Sequence, residues 1–120
     1  MIVKANKIEN DLLDTVKDFV NQLNEKKSED TIILDLKEIN SYFNYFILTT
    51  GNSYVHCRAL AKEVQKLVVT KGLKLNNSPE FDSGWIVMDY GEIVIHIFSS
   101  EMRAFYQLEK LWGDAKKIEF

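Results

Sequence analysis

Between Trp85 and Phe98 the chain reads W-I-V-M-D-Y-G-E-I-V-I-H-I-F, and no other stretch limits the fold as much. Two apolar, β-branched runs flank Asp89-Tyr90-Gly91-Glu92, which is the pattern of a β-hairpin. With Tyr90-Gly91 as a two-residue loop, Gly91 supplies the positive φ such turns require. Counting outward, Asp89 faces Glu92, Val87 faces Val94 and Trp85 faces His96. Those side chains share one face with Phe98, while Ile86, Met88, Ile93, Ile95 and Ile97 occupy the other, with Tyr90 at the turn. The aliphatic face belongs to a core. The face mixing Trp, His, Asp and Glu with valines is either covered by something polar or meets a partner.

The remaining elements read as support for this hairpin. Ile8, Leu12, Val16, Phe19, Val20 and Leu23 recur at helical spacing, predicting a helix from about Ile8 to Lys27 with Asp11, Asp14 and Asp18 on its outer side. That acidic stripe is either a solvated helix face or a contact for a basic partner. Thr31 to Leu36 and Asn44 to Thr50 read as two strands joined closely enough to pair antiparallel. A second helix is expected from Ser53 or Tyr54 to about Lys71, burying Val55, Ala59, Leu60, Val64, Leu67 and Val68 and stopping at Gly72. Leu73-Lys74-Leu75 reads as a short strand parallel to the second one, and Asn76 to Ser83 as an extended loop. A last helix from about Glu101 to Trp112 sets Phe105, Leu108 and Trp112 inward, with Arg103, Tyr106, Gln107 and Lys110 nearer solvent. The order α-β-β-α-β-β-β-α implies an α+β fold, one mixed sheet of about five strands with packed helices.

Size allows one core and no second: 120 residues, 46% hydrophobic with one proline, form a single domain spanning 1–120. No apolar run approaches the roughly 20 residues that cross a bilayer, and the first residues do not resemble a signal peptide, so a soluble, cytoplasmic protein with no membrane partner is expected. A formal charge of −3 disfavours unaided binding to bare nucleic acid, so no dedicated DNA binding is expected, yet it permits docking on a basic partner.

Candidate chemistry is sparse. Gly51-Asn52-Ser53 runs from a strand into a helix, where backbone N–H groups can hold phosphate; Ser53 or Asn52 is also an ordinary helix cap. Cys57 sits in the first helical turn, but its neighbour His56 points about 100° away around the helix, a poor base for it. His56, His96 and Cys57 show no zinc-site spacing. Asp35, Asp89 and Glu92 are the carboxylates nearest the strands; Asp89 and Glu92 flank a turn, where acidic residues are normally solvated. Arg58, Lys62 and Lys66 form a narrow basic line on the second helix, better suited to a solvated face than to an RNA backbone. Trp85, Tyr106, Tyr90 and Tyr54 with Arg103 have the composition of protein-interface anchors, core packing being the competing reading.

Three motifs carry a family resemblance. Gly51-Asn52-Ser53, then His56, Ala59, Ala61 and Val64, resembles a pattern of glycine, threonine or asparagine, serine, two residues and histidine opening a helix. The stretch Trp85 to Phe98 is similar to a Trp-hydrophobic-Asp-Tyr-Gly-Asp/Glu-hydrophobic-His hairpin. Arg103 to Trp112 is similar to Arg-x-Phe-Tyr-x-Leu-Glu-x-Leu-Trp, with Asp114-Ala115 after it. Together, in this order and over about residues 8 to 116, they resemble the ribosomal silencing factor, or Iojap-like, family. Asn44, where the family usually has aspartate, and Phe81 after Glu80, where Glu-Gly is common, depart from it.

The resemblance implies an α+β fold related to nucleotidyltransferases, with no catalytic, cofactor-binding or metal-binding residue and no cofactor. It implies binding to the fourteenth protein of the large ribosomal subunit, blocking subunit joining and slowing translation when nutrients are scarce. Trp85, Asp89, Tyr90, His96, Arg103 and Tyr106 are the expected contact or contact-shaping residues, Trp85 being the anchor. Other readings are a small nucleotidyltransferase using Gly51-Asn52-Ser53 for phosphates and strand carboxylates for magnesium, a large-subunit assembly factor, and a free homodimer paired through the mixed face.

Overall fold

The computed structural model describes the backbone of residues 2–119 and the side chains of residues 11–119. A five-stranded mixed sheet runs in the order β3-β4-β2-β1-β5. Its strands are β1 (Glu29–Asp35), β2 (Tyr45–Gly51), β3 (Trp85–Asp89), β4 (Ile93–Ser99) and β5 (Lys116–Ile118). β2 and β4 are parallel, and every other pairing is antiparallel. These two strands are central and fully buried, which explains their nearly unbroken apolar sequences.

Helices α1 (Ile2–Glu25) and α2 (Tyr54–Lys71) cover one face. Val16, Phe19, Val20 and Leu23 of α1 and Cys57, Leu60, Ala61 and Val64 of α2 pack there on Ile33, Tyr45, Ile47, Ile86, Met88 and the three isoleucines of β4. The Ile8 end of the expected α1 stripe lies outside the described side chains. On α2 the buried stripe is rotated from expectation: Val55 and Ala59 are exposed, and Cys57 and Ala61 are buried instead. The cause is the close approach of Gly51, where an added Cβ would lie 2.7 Å from Cys57 Sγ, so that the Cys57 edge of the helix meets the sheet.

The opposite face holds a second core of Leu34, Leu36, Phe46, Leu48, Val94, Phe98 and Leu108, completed by Trp85, Met102 and Trp112. Short helices α3 (Ser100–Tyr106) and α4 (Leu108–Leu111) cover it in part. The expected single helix from Glu101 to Trp112 is broken at Gln107, which adopts a left-handed φ of 47°. Leu108 and Trp112 turn inward as expected, but Phe105 is 77% exposed.

Two further expectations give way. Leu73-Lys74-Leu75 is not a strand; Leu73 and Leu75 only pack on the core, and the fifth strand is β5, after the last helix. The element order is therefore α-β-β-α-β-β-α-α-β. In the hairpin, the loop is Gly91-Glu92, closed by Tyr90 N–H donating to the Ile93 carbonyl at 2.9 Å. Gly91, with φ +85°, takes the first loop position, where a type II′ turn wants glycine. Tyr90 is held in the ladder because its ring is buried against Phe19. Partners slide by two, so Trp85 faces Phe98, Val87 faces His96 and Asp89 faces Val94. A slide of two leaves every side chain on its expected face.

Candidate functional site

β3 is an edge strand, and an open edge invites pairing with any passing strand. Here the loop before it covers the edge with two side chains and a backbone N–H. Asn77 Nδ2 donates to the Val87 carbonyl at 2.8 Å and Asn77 Oδ1 accepts from Asp89 N–H at 3.0 Å. Asn76 N–H donates to the Asp89 carbonyl at 2.7 Å, and Ser83 Oγ donates to the Trp85 carbonyl at 2.7 Å. The loop expected at Asn76 to Ser83 thus takes the place of a sixth strand, leaving side chains rather than backbone for recognition.

Those side chains lie where β3 meets α3. Trp85 is half-buried, stacked on Phe98 at 5.2 Å and against Tyr106 at 4.6 Å between ring centroids. Phe105 continues the cluster, edge-on to Tyr106 at 5.1 Å. Phe105 and Tyr106 are 77% and 46% exposed, so this is an aromatic patch with solvent on one side. Tyr54, at the start of α2, reaches the same neighbourhood: its hydroxyl and a Met102 methylene crowd Gly84. An added Cβ at Gly84 would meet both, and its φ of +77° also favours glycine.

His96 lies beneath Trp85. Trp85 Nε1–H donates to His96 Nδ1 at 3.1 Å, and the imidazole sits 4.6 Å from the ring of Phe46 and 6.1 Å from that of Phe98. Burial pushes its pKa down to about 3, so the ring is neutral and Nδ1 is free to accept.

Arg103 fastens α3 to the sheet. Its guanidinium donates to the Asp30 carbonyl at 2.6 Å, to Thr50 Oγ1 at 2.9 Å and to Glu109 Oε2 at 3.4 Å. Only 12% of its side chain is exposed, so it shapes the patch from behind. Asp89 Oδ1 accepts from Gly91 N–H at 2.8 Å, which fixes the turn. Tyr90 points to the opposite face, stacked at 6.4 Å on Phe19, and burial raises its pKa to about 12. Of the six expected contact residues, Trp85 and Tyr106 reach the aromatic surface, His96 and Arg103 lie under it, Asp89 stands at its turn end, and Tyr90 is across the sheet. Phe105 joins the patch although its spacing pointed inward, because no glycine or proline marks the break at Gln107.

The strand-to-helix junction is used internally. Ser53 Oγ accepts from His56 N–H at 3.0 Å as the cap of α2, while Asn52 N–H donates to His56 Nδ1 at 2.9 Å and His56 Nε2–H donates to the Lys26 carbonyl at 2.9 Å. The N–H groups a phosphate would need are thus partly spent. The Cys57 thiol is buried, which raises its pKa. Asp35 is paired with Lys37 at 3.6 Å. Among the described residues, no three His, Cys, Asp or Glu side chains come together as a metal site, and no helix is long and apolar enough to cross a membrane.

The family profile described as "ribosomal silencing factor during starvation" matches residues 9–120. A ribosomal silencing factor of Halalkalibacterium halodurans is 35% identical over 101 residues, covering 83% of this chain and 86% of that protein. A crystal structure of a Chromobacterium violaceum protein superposes with a TM-score of 0.79 at 31% identity, covering 90% of each chain. A mouse protein named for mitochondrial assembly of the ribosomal large subunit is 29% identical over 99 residues, covering 78% of this chain and 42% of that one.

Proposed function

This chain belongs to the ribosomal silencing factor family, and from that premise we propose that it binds the large ribosomal subunit through that subunit's fourteenth protein and sterically blocks joining of the small subunit. Translation is thereby repressed under nutrient limitation. Family membership supports a ribosome-associated regulatory role. The observation that carries it is the solvent-facing cluster of Trp85, Phe105 and Tyr106, backed by a buried histidine and an arginine anchor. Aromatic side chains set on a rigid sheet are the usual anchors of protein interfaces. The net charge of −3 complements a basic ribosomal protein. A body measuring 46 × 32 × 27 Å, seated on the face that meets the small subunit, excludes it by volume alone.

In this arrangement Trp85, Phe105 and Tyr106 touch the partner, and Asp89 offers a charge at the hairpin end. His96 and Arg103 hold the patch from within, and Tyr90 anchors the hairpin from the far side. Co-sedimentation with purified large and small subunits, followed by a subunit-joining assay, tests the proposal. Binding to the large subunit alone with joining suppressed is the expected result, and no binding sinks it. Binding with joining intact favours a second reading, an assembly role, which the name of the mouse relative brings forward. Light scattering of the free chain tests whether it pairs with itself through the same patch.

A further inference from the structure

We propose that His96 is a positioning residue for docking: it holds the Trp85 indole N–H inward, so that the partner meets Trp85 through carbon and not through a hydrogen bond. This rests on the docking reading above.

Position 96 lies in the second core, on the face it shares with Phe46, Phe98, Val94 and Leu48, with the rings of Phe46 and Phe98 beside it. His96 is 5% exposed, and its Nε2 has no hydrogen-bond partner. With Nδ1 accepting from Trp85, the proton of the neutral ring is on Nε2, so a buried N–H is left unpaired. Such a group destabilises a fold, and an aliphatic side chain of similar size would avoid the penalty. Stability therefore does not explain the residue. What the imidazole supplies, and an aliphatic group cannot, is an acceptor aimed at the single polar atom of the Trp85 side chain. Because burial keeps the ring neutral, that acceptor is present across the physiological pH range.

The consequence is a chemical description of the partner's contact. An indole with its N–H engaged presents aromatic carbon, which suits aliphatic groups and the stems and charged heads of lysine or arginine. A backbone carbonyl or carboxylate on the partner gains nothing from it.

The test separates orientation from binding. In nitrogen-15 spectra of the free protein, the Trp85 indole N–H should exchange with water at least about tenfold more slowly in wild type than in His96→Leu. Large-subunit affinity should fall about tenfold in His96→Leu, although its thermal midpoint is equal to or above that of wild type. His96→Asn restores an acceptor near the Nδ1 position and should recover both slow exchange and affinity to within about threefold. Trp85→Phe has no N–H to hold, so adding His96→Leu to it should change affinity by less than about twofold. Unchanged exchange in His96→Leu overturns the proposal, as does equal loss in His96→Leu and His96→Asn, or a full further loss in the Trp85→Phe background. If wild type itself fails to bind the large subunit, the docking reading fails, and the proposal for docking falls with it; exchange still shows whether His96 orients the indole.

Discussion

Replacing Arg103 with methionine should loosen the whole aromatic patch without touching it. The substitution keeps the apolar stem, which packs under α3, and deletes the guanidinium. Two of the lost hydrogen bonds are short and charge-assisted, at 2.6 Å to the Asp30 carbonyl and 2.9 Å to Thr50 Oγ1. At the lower end of the usual range for such bonds, about 1.5 kcal/mol each, they amount to about 3 kcal/mol. The Glu109 contact is longer, 3.4 Å, with the carboxylate side chain 38% exposed, and adds no more than about 0.5 kcal/mol. For a chain of this length, about 3 kcal/mol corresponds to a fall of roughly 10 °C in thermal midpoint. Differential scanning calorimetry measures that directly. Arg103→Lys should recover about half of the loss, because an ammonium cannot reach the same acceptors as a planar fork. A midpoint for Arg103→Met within about 2 °C of wild type would refute the account, since it would mean that the guanidinium exchanges these partners for water at no cost.

The other predictions divide surface from support. Phe105→Ser should leave the thermal midpoint within about 2 °C of wild type while weakening large-subunit binding several-fold; a folded variant with unchanged affinity would remove Phe105 from the contact. Trp85→Ala should weaken that binding at least tenfold, about 1.4 kcal/mol, in sedimentation titrations. Gly51→Ala should destabilise by about 1–3 kcal/mol in urea melts, as the new methyl meets Cys57 Sγ, and adding Cys57→Ala should return part of it. His96 has a folded-state pKa near 3 against about 6.5 unfolded, so the unfolded chain binds the extra proton as pH falls. Above about pH 6.5 folding is therefore indifferent to the protonation of His96, and between about pH 6.5 and pH 3 the folded state loses about 1.4 kcal/mol per pH unit, a slope that His96→Leu should flatten.

Period-two patterning made the hairpin and both of its faces legible in the sequence, and helical spacing did the same for α1. Both ends of α2 were equally readable, because Ser53 and Gly72 are strong local cap signals. What escaped was set by contacts distant in sequence. The loop register depends on Tyr90 finding Phe19, a residue 71 positions earlier, and the stripe on α2 depends on Gly51 admitting Cys57. Neither has a local signature. The break at Gln107 lacks the glycine that usually marks a left-handed residue, so the residues alone imply an unbroken helix that turns Phe105 inward. The patch itself was half legible: Trp85 and Tyr106 stood out by residue type, whereas the roles of His96 and Arg103 follow from which atoms they meet. β5 is three residues long with two lysines, too short and polar to read as a strand without its neighbour β1.

The amide of Asn77 ties the edge of the sheet to one side-chain nitrogen. As asparagine it serves β3 twice, donating to the Val87 carbonyl and accepting from the Asp89 N–H. Hydrolysis to aspartate would keep the acceptor but delete the donor, and would set a carboxylate against the carbonyl it used to satisfy. Such a change at an exposed loop would weaken the guard of the strand that carries Trp85 at Val87, where an open edge becomes a place for another strand to pair.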